Sequence, residues 1–258
     1  SLDGSKHYTI PHYQRLYSWD FKQVEALFND VVKLARNPLS RHFVGSIVYV
    51  SHPAKASGIN NFVVIDGQQR LTTLSMMLLA VIDSLKLSEE DRRKRLNRTI
   101  RNSDESASSE EYLKLKLTRQ DNSSYRQIVH SISSGEALTP DGGKVHKNFG
   151  YLSTLLEDCD VSADALWEAI TRLDLVYISL EKGKDDPQAI FESLNSTGKN
   201  LSSTDLIRNF VLMDQEQNVQ ENLYENYWCK IEELFADRKD TEFDEFTRAH
   251  LAYIQEKY

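Results

Sequence analysis

The chain of 258 residues is 40% hydrophobic and 27% charged, with a formal net charge of -8. This composition is typical of a globular protein with a sizeable core, and the length allows one large domain or two small ones. An acidic surface excludes general polyanion binding, so contact with nucleic acid requires a local basic patch. Because no apolar run is long enough to span a bilayer and no segment resembles a signal peptide, we expect a cytoplasmic protein with no membrane partner.

Cysteine and histidine usage argues against a secreted, disulfide-bonded protein and against a zinc protein. The two cysteines, Cys159 and Cys229, are far apart and form no CxxC pair, which favours a reducing compartment. The seven histidines show neither HxxxH nor HExxH spacing, so we expect no zinc site.

The first third of the chain contains predicted helices and strands. Residues 1–19 show no clear periodicity, and Asp20 is placed to cap the helix that follows it. The segment His42–Val50 is rich in β-branched and aromatic residues and predicts a strand, and Phe62–Ile65 predicts a second strand that pairs with it. From Gln68 to Leu87 the apolar spacing is helical and later nearly all-round, which predicts a central buried helix.

The rest of the chain is mainly helical. Ser88 is placed to cap a helix that carries a basic run, and Pro187 suits the first position of another helix. Either Ser203 or Thr204 is expected to cap the next one. The remaining predictions are a short strand at Tyr112–Leu117, helices near Asp121–Ile132, Val145–Leu156 and Ala163–Leu173, a strand at Leu173–Leu180, and helices over 219–258.

This order of elements predicts an α/β or α+β unit that carries a large helical insertion. We place the insertion at about 87–171, within a domain covering 1–213. The segment 214–258 is expected to be helical and to begin a longer helical or C-terminal region, because the helical pattern continues to the last residue.

The stretch VVIDGQQRLTTL, Val63–Leu74, passes from strand to helix without a spacer. Gly67 at the junction permits unusual backbone angles and the close approach of another group. The first turn of a helix presents N–H groups without internal partners and a positive dipole end, which together favour phosphate. Arg70 adds a planar guanidinium that suits phosphate oxygens. The junction is therefore a candidate phosphate site.

The other side chains of this junction fit the same chemistry, but a simpler interpretation is equally open. Gln68 and Gln69 can orient a water molecule or contact a nucleotide edge, and Asp66 can hold a divalent cation or polarise a water. Alternatively, Asp66 is only a helix cap and Arg70 only a surface residue. The residues by themselves do not decide between these interpretations.

Two further stretches have features of binding motifs. Gly198-Lys199 is similar to the end of a P-loop, but Asn200 replaces the Ser or Thr that would hold magnesium, which excludes a Walker-type NTPase. The basic run at 92–101 could face a DNA backbone. Such a run is more commonly a solvated helix face, and acidic residues just before it partly neutralise its charge.

Three stretches together resemble a known family: IPHYQRLYSW (Ile10–Trp19), VVIDGQQRLTTL, and IFESLNSTGKNLSSTDLIRN (Ile190–Asn209). HFVGSIVYV and YENYWCKIEE (Tyr224–Glu233) also fit. They are similar to the N-terminal domain of the GmrSD-type, modification-dependent restriction enzymes of bacteria and archaea. The resemblance implies an α+β fold of the ParB/sulfiredoxin-like group, a small mixed sheet with a helical insertion and a helical C-terminal part.

The resemblance also implies an activity and its partners. The family's domain binds and hydrolyses a nucleoside triphosphate, with Mg2+ as the expected cofactor. Its partner is a His-Asn-His-type nuclease domain or subunit that cuts foreign DNA, often modified DNA. No nuclease motif occurs in this sequence, so cleavage cannot be assigned to it. The nucleotide, the DNA modification and the oligomeric state, a homodimer included, are left open.

Carried over residue by residue, the resemblance predicts the site. The expected catalytic residues are Asp66, Gln68, Gln69 and Arg70, with Asp66 also the expected metal ligand. The expected nucleotide-binding residues are Gln14, Arg15, Gly67, Asn195, Gly198, Asp205 and Asn209. Tyr13, Gln14 and Arg15 would line the site or an adjoining DNA-facing surface. Lysine is common in the family at the position of Arg208, and the change keeps the charge.

Two other functions remain as alternatives. One is a non-enzymatic DNA-sensing module with a ParB-like fold that binds nucleotide as a switch or not at all. The other is a ParB-like nuclease that acts on DNA directly.

Overall fold

The structure is a computed structural model that describes residues 5–52, 58–102, 111–181, 184–195, 202–213, 215, 217–235 and 240–255. The chain forms two compact units, and each is described by itself. Unit 1 contains Ser1–Pro11 and Leu16–Lys184, and unit 2 contains His12–Arg15 and Asp185–Tyr258. Among the helices that the structure describes, none combines the length and the apolar character needed to cross a bilayer.

Unit 1 is built on a mixed five-stranded sheet with the order β4-β1-β3-β2-β5. The strands are β1 (Lys6–Thr9), β2 (Phe43–His52), β3 (Asn60–Asp66), β4 (Leu115–Lys116) and β5 (Asp174–Leu180). The predicted pairing of β2 with β3 is confirmed and is antiparallel. The other three pairings, β1 with β3, β1 with β4 and β2 with β5, are parallel.

One strand was not predicted. Strand β1 has only four residues, and both of its partners lie far away in the sequence. Its residues therefore form a strand because of tertiary pairing rather than because of a long local pattern.

The helices of unit 1 agree with the predicted pattern. They are α1 (Phe21–Arg36), α2 (Gln68–Ser84), α3 (Glu89–Thr99), α4 (Arg119–Ser134), α5 (Lys144–Glu157) and α6 (Ala163–Thr171). Helix α2 is buried along nearly its whole length, and it packs against α3, α4, α5 and α6. The prediction of a central buried helix is confirmed. Asp20 and Ser88 are the N-cap residues of α1 and α3, as predicted.

Unit 2 is helical. Its helices are α7 (Pro187–Asn195), α8 (Ser203–Leu212), α9 (Gln217–Leu223), α10 (Cys229–Leu234) and α11 (Asp240–Gln255), with a π-helical turn at Tyr224–Trp228 between α9 and α10. Pro187 begins α7 as predicted. The prediction for α8 was wrong by one position: Ser202 caps it, accepting a hydrogen bond from the amide of Asp205. The run Ser202-Ser203-Thr204 offers three adjacent hydroxyls, so the composition did not select one.

The α+β class with a mixed sheet, a largely helical segment between β3 and β5 and a helical C-terminal part is confirmed. Membership of the ParB/sulfiredoxin-like group and the predicted domain boundaries stay predictions.

Candidate functional site

The strand-to-helix junction of unit 1 requires a glycine on two separate grounds. Gly67 lies between β3 and α2 with a φ of 94°, in the left-handed region that L side chains avoid. A Cβ atom at this position would also lie 2.5 Å from Cδ1 of Ile47 and 2.8 Å from the carbonyl oxygen of Ser46. The chain can therefore turn directly from the end of β3 into α2, close against the neighbouring strand β2.

Arg70 is held in place at this junction by the backbone of β2. Its Nη1 donates to the carbonyl oxygen of Ser46 at 2.5 Å. Its guanidinium lies over Gly45, where an added Cβ atom would overlap Nη1, so a side chain at that position would displace Arg70. The side chain of Arg70 stays 27% exposed. It thus presents an ordered, partly accessible guanidinium in the first turn of α2.

The electrostatics of the junction favour an anion. Helix α2 has 17 residues, and its first turn contains no acidic residue. Its positive end is therefore not neutralised from within that turn. The Asp66 carboxylate is 4.0 Å from Nη2 of Arg70 and is 20% exposed, a long contact that leaves the guanidinium accessible to another acceptor.

Gln69 is used to hold a neighbouring segment. Its side-chain oxygen accepts hydrogen bonds from the amides of Ser18 at 2.8 Å and Trp19 at 3.2 Å, and its Nε2 donates to the carbonyl of Leu16 at 3.4 Å. The Gln69 carbonyl accepts from the hydroxyl of Thr73. The Gln69 side chain therefore holds the backbone of residues 16–19 in place. Gln68, the other glutamine of the motif, is also buried.

The junction also fits a magnesium ion in its usual protein setting. Mg2+ in nucleotide sites is held by one or two carboxylates together with substrate phosphates. Asp66 supplies one partly exposed carboxylate beside the helix start. Across the described residues, no group of three or more His, Cys, Asp or Glu side chains could form an all-protein metal site. Any ion at Asp66 would depend on ligand oxygens.

In unit 2 the DLIRN block meets the YQR block through one buried arginine. Arg208 donates from Nε to the carbonyl of Tyr13 at 2.8 Å and from Nη1 to Glu232 at 2.5 Å. Its Nη2 forms an ion pair with Asp205. Glu232 also accepts from the indole of Trp228 and the hydroxyl of Tyr224, at 2.9 and 2.7 Å.

Each carboxylate of this network is thus matched by a donor. Burial, together with the charge of Glu232, raises the pKa of the Tyr224 phenol well above its ordinary value, so the phenol stays a donor. Asp205, predicted to bind nucleotide, forms an ion pair with Arg208 and accepts a hydrogen bond from the amide of Ser202.

The remaining predicted residues divide between the two units. Gln14 is buried and Arg15 half-buried, and both belong to unit 2, whereas the Asp66–Arg70 turn belongs to unit 1. Asn209 is 3% exposed, and its side-chain oxygen has no hydrogen-bond partner among the described residues. Asn195 ends α7, but its side chain and the whole of Gly198 lie outside the described residues.

Most of the basic run has protein partners. Lys94 pairs with Glu90, and Arg95 with Asp164, while Arg92 donates to the carbonyl of Ile132. This supports the interpretation of the run as a structured helix face.

Two contributors were not singled out from the sequence. Gly45 lies inside a strand pattern, which is the usual indication of a close backbone or side-chain approach. Glu232 follows Tyr224 and Trp228 by eight and four residues, a helical spacing that places all three on one face.

The five-stranded sheet, its glycine turn and the two motif blocks all lie within a region that matches a restriction-endonuclease domain. The family model of the GmrSD restriction endonuclease N-terminal domain matches residues 1–212, and the chain belongs to this family. A search of curated proteins finds no match to the chain.

Proposed function

We propose that this domain binds a nucleoside triphosphate at the Asp66–Arg70 turn and hydrolyses it, as the regulatory part of a restriction enzyme that acts on modified foreign DNA. The observation that carries the proposal is the ordered guanidinium of Arg70, fixed by the Ser46 carbonyl over Gly45 beside the N-terminus of α2. Helix amides, a positive dipole end and a partly exposed arginine together form a phosphate site.

The proposed chemistry is the transfer of the γ-phosphoryl group from the β-phosphate to a water oxygen. Arg70 would stabilise the charge on the phosphate oxygens. Asp66 would either accept the proton of the attacking water or help to hold Mg2+, which would neutralise phosphate charge. The predicted role of the motif amides is to orient this water, and the Gln69 amide could do so only by leaving the 16–19 backbone.

The same engagement of Gln69 supports a second candidate function. Because the Gln69 side chain is bonded to the backbone of the 16–18 segment, the turn has fewer groups to position a water than the motif suggests. A domain that binds nucleotide as a switch, without turnover, is consistent with this arrangement. A phosphate-release assay over several Mg-NTPs, with and without DNA, separates hydrolysis from binding alone.

Calorimetric titration with Mg-NTPs tests the proposal. Arg70→Ala is expected to weaken binding by roughly tenfold or more, since a charge-assisted hydrogen bond to phosphate is lost. Arg93→Ala is the matched control, because Arg93 is an exposed arginine of α3. Asp66→Asn should reduce phosphate release more than it reduces binding. Equal binding by wild type and Arg70→Ala would count against the site.

Cleavage of DNA would come from a separate nuclease domain or subunit of the His-Asn-His type. DNA cutting by this chain alone in the presence of metal would instead favour the ParB-like nuclease alternative.

A further inference from the structure

Unit 1 contains a cleft that the proposed nucleotide turn does not use. Its volume is about 820 Å3, and it is lined by one face of α4, by the 136–141 connection to α5 and by Arg101, Tyr112 and Leu113. This volume suits a small organic ligand. None of its lining residues belongs to the Asp66–Arg70 turn.

Hydrogen bonds hold the backbone beside Arg101 and Tyr112, two lining residues of the cleft. Arg101 and Leu113 form an antiparallel bridge, and the amide of Asn102 donates to the carbonyl of Tyr112 at 2.8 Å. The buried Asn102 side chain donates to the carbonyls of Lys6 and Glu111 and accepts from the Lys6 amide. The backbone that carries Arg101 and Tyr112 is therefore anchored to β1.

Arg101 carries a charge that the described protein does not balance. Its Nη2 donates to the hydroxyl of Ser133, and its Cζ lies 5.3 Å from the centroid of the Tyr112 ring. Its Nε is buried without a hydrogen-bond partner, and no carboxylate of the described residues pairs with the guanidinium. A half-buried guanidinium without a carboxylate favours an anionic ligand, because an unpaired charge is costly to bury.

The two acidic residues of the cleft each have a histidine neighbour. Glu136 lies 3.3 Å from Nε2 of His130, and Asp141 lies 2.8 Å from Nδ1 of His146. Arg126, exposed on the cleft face of α4, adds a second guanidinium to the lining. The attraction of the cleft for a negative ligand therefore comes from Arg101.

The aromatic ring beside Arg101 identifies the second part of that ligand. Tyr112 is 41% exposed, which is high for a large ring that also stacks with a guanidinium. A ring and an arginine side by side are the combination that binds a nucleobase by stacking and its phosphate by charge. We propose that this cleft binds a phosphate ester next to a heteroaromatic ring, either a free nucleotide or one nucleotide of a single strand. The proposal does not depend on the function of the Asp66–Arg70 turn.

Calorimetry on the full chain carrying Arg70→Ala tests the cleft without a contribution from the turn. The probes are a nucleoside monophosphate, a short single-stranded oligonucleotide and inorganic phosphate. We expect Arg101→Gln to weaken binding of both nucleotide probes by about tenfold and Arg126→Gln by a few-fold, with Arg93→Gln changing it by less than about twofold. Tyr112→Leu should weaken the nucleotide probes and leave inorganic phosphate unchanged, because stacking is lost.

The comparison of probes identifies the source of the ligand. An oligonucleotide that binds at least about tenfold tighter than the monophosphate indicates a nucleic-acid strand, and similar affinities indicate a free nucleotide. Arg126→Gln changes an exposed residue, so it keeps the test valid if Arg101→Gln does not fold. The proposal is overturned if neither nucleotide probe binds, or if Arg93→Gln loses as much affinity as the cleft variants. Failure here leaves triphosphate binding by the wild-type turn unaffected.

Discussion

The Nε of Arg208 donates to the carbonyl oxygen of Tyr13 at 2.8 Å, across 195 residues of sequence. The short segment His12–Arg15 belongs to unit 2, although the residues on both sides of it belong to unit 1. The chain therefore passes between the units three times: before His12, after Arg15 and after Lys184. Two blocks that the family resemblance identified separately are joined by one side chain.

Loss of Arg208 should destabilise the protein strongly. Its side chain is 7% exposed, and it pairs with both Asp205 and Glu232. Arg208→Ala leaves these carboxylates without their cation, and we expect a loss of about 3–5 kcal/mol in the free energy of unfolding. Urea unfolding followed by far-UV circular dichroism measures this loss.

Arg208→Lys separates charge from geometry. A lysine keeps the charge but cannot make the three directed contacts of the guanidinium, so an intermediate loss is expected. A change in Arg208→Ala of less than about 1 kcal/mol would show that the network is not important for stability.

Gly67→Ala should destabilise the folded protein through both backbone strain and steric overlap of the added Cβ atom. The position has a φ of 94°, and the new Cβ atom would meet the Ser46 carbonyl at 2.8 Å and Ile47 at 2.5 Å. We expect a loss of about 2–4 kcal/mol in the free energy of unfolding, since backbone strain and forced repacking each cost about 1–3 kcal/mol. Thermal and urea unfolding measure it.

Two glycines serve as matched controls for this variant. Gly135 has a φ of 76° and open space around its Cβ position, so Gly135→Ala reports the backbone term alone, about 1 kcal/mol. Gly150 lies inside α5 with nothing near its Cβ position, and Gly150→Ala should stabilise by about 0.5–1 kcal/mol. If Gly67→Ala lowers the free energy of unfolding no more than Gly135→Ala does, steric overlap at Gly67 does not contribute.

Gln69→Ala should release the segment that its amide holds. The amides of Ser18 and Trp19 would lose their acceptor, and each unsatisfied donor costs about 1–3 kcal/mol. We expect lower stability and faster hydrogen exchange at these two amides. Gln23→Ala is the control, because the Gln23 side chain accepts from the Asp20 amide in an exposed position. Unchanged exchange at residues 18 and 19 would argue that Gln69 acts mainly on a ligand.

How far the sequence predicts this molecule depends on whether the information is local. The central helix α2 and the β2–β3 pair follow from apolar spacing and β-branched content, which are local properties. Strand β1 and the assignment of His12–Arg15 to unit 2 depend on partners more than fifty residues away, so no local pattern reveals them.

The candidate site shows the same division. The glycine and the arginine of the junction were identified from the sequence, because strand-glycine-helix is a local pattern. Their supports, the Ser46 carbonyl and the space above Gly45, come from the neighbouring strand and required coordinates. The hydrogen bonds of Gln69 to the 16–19 backbone likewise depend on a segment about fifty residues earlier.

Asp121 should make stability depend on pH between about 4 and 6. Its side chain accepts a hydrogen bond from the Tyr17 amide at 2.6 Å, and the residue is 8% exposed. Burial raises the pKa of Asp121 to about 6, against the opposing effect of hydrogen bonds from Tyr17 and Thr118, and the charge of Asp141 adds to the rise. The folded state thus binds this proton more tightly than the unfolded state, whose carboxyl has a pKa near 3.8.

The sign of the effect follows from this order of pKa values. The contribution of Asp121 to stability is least favourable above pH 6, improves as the pH falls through 6 and levels off below about 4. Asp121→Asn removes the titration, so wild type should gain about 2.4 kcal/mol relative to the variant between pH 8 and pH 4. Urea unfolding of both proteins across this range measures the difference. If the two curves stay parallel, Asp121 does not titrate with a raised pKa in the folded protein.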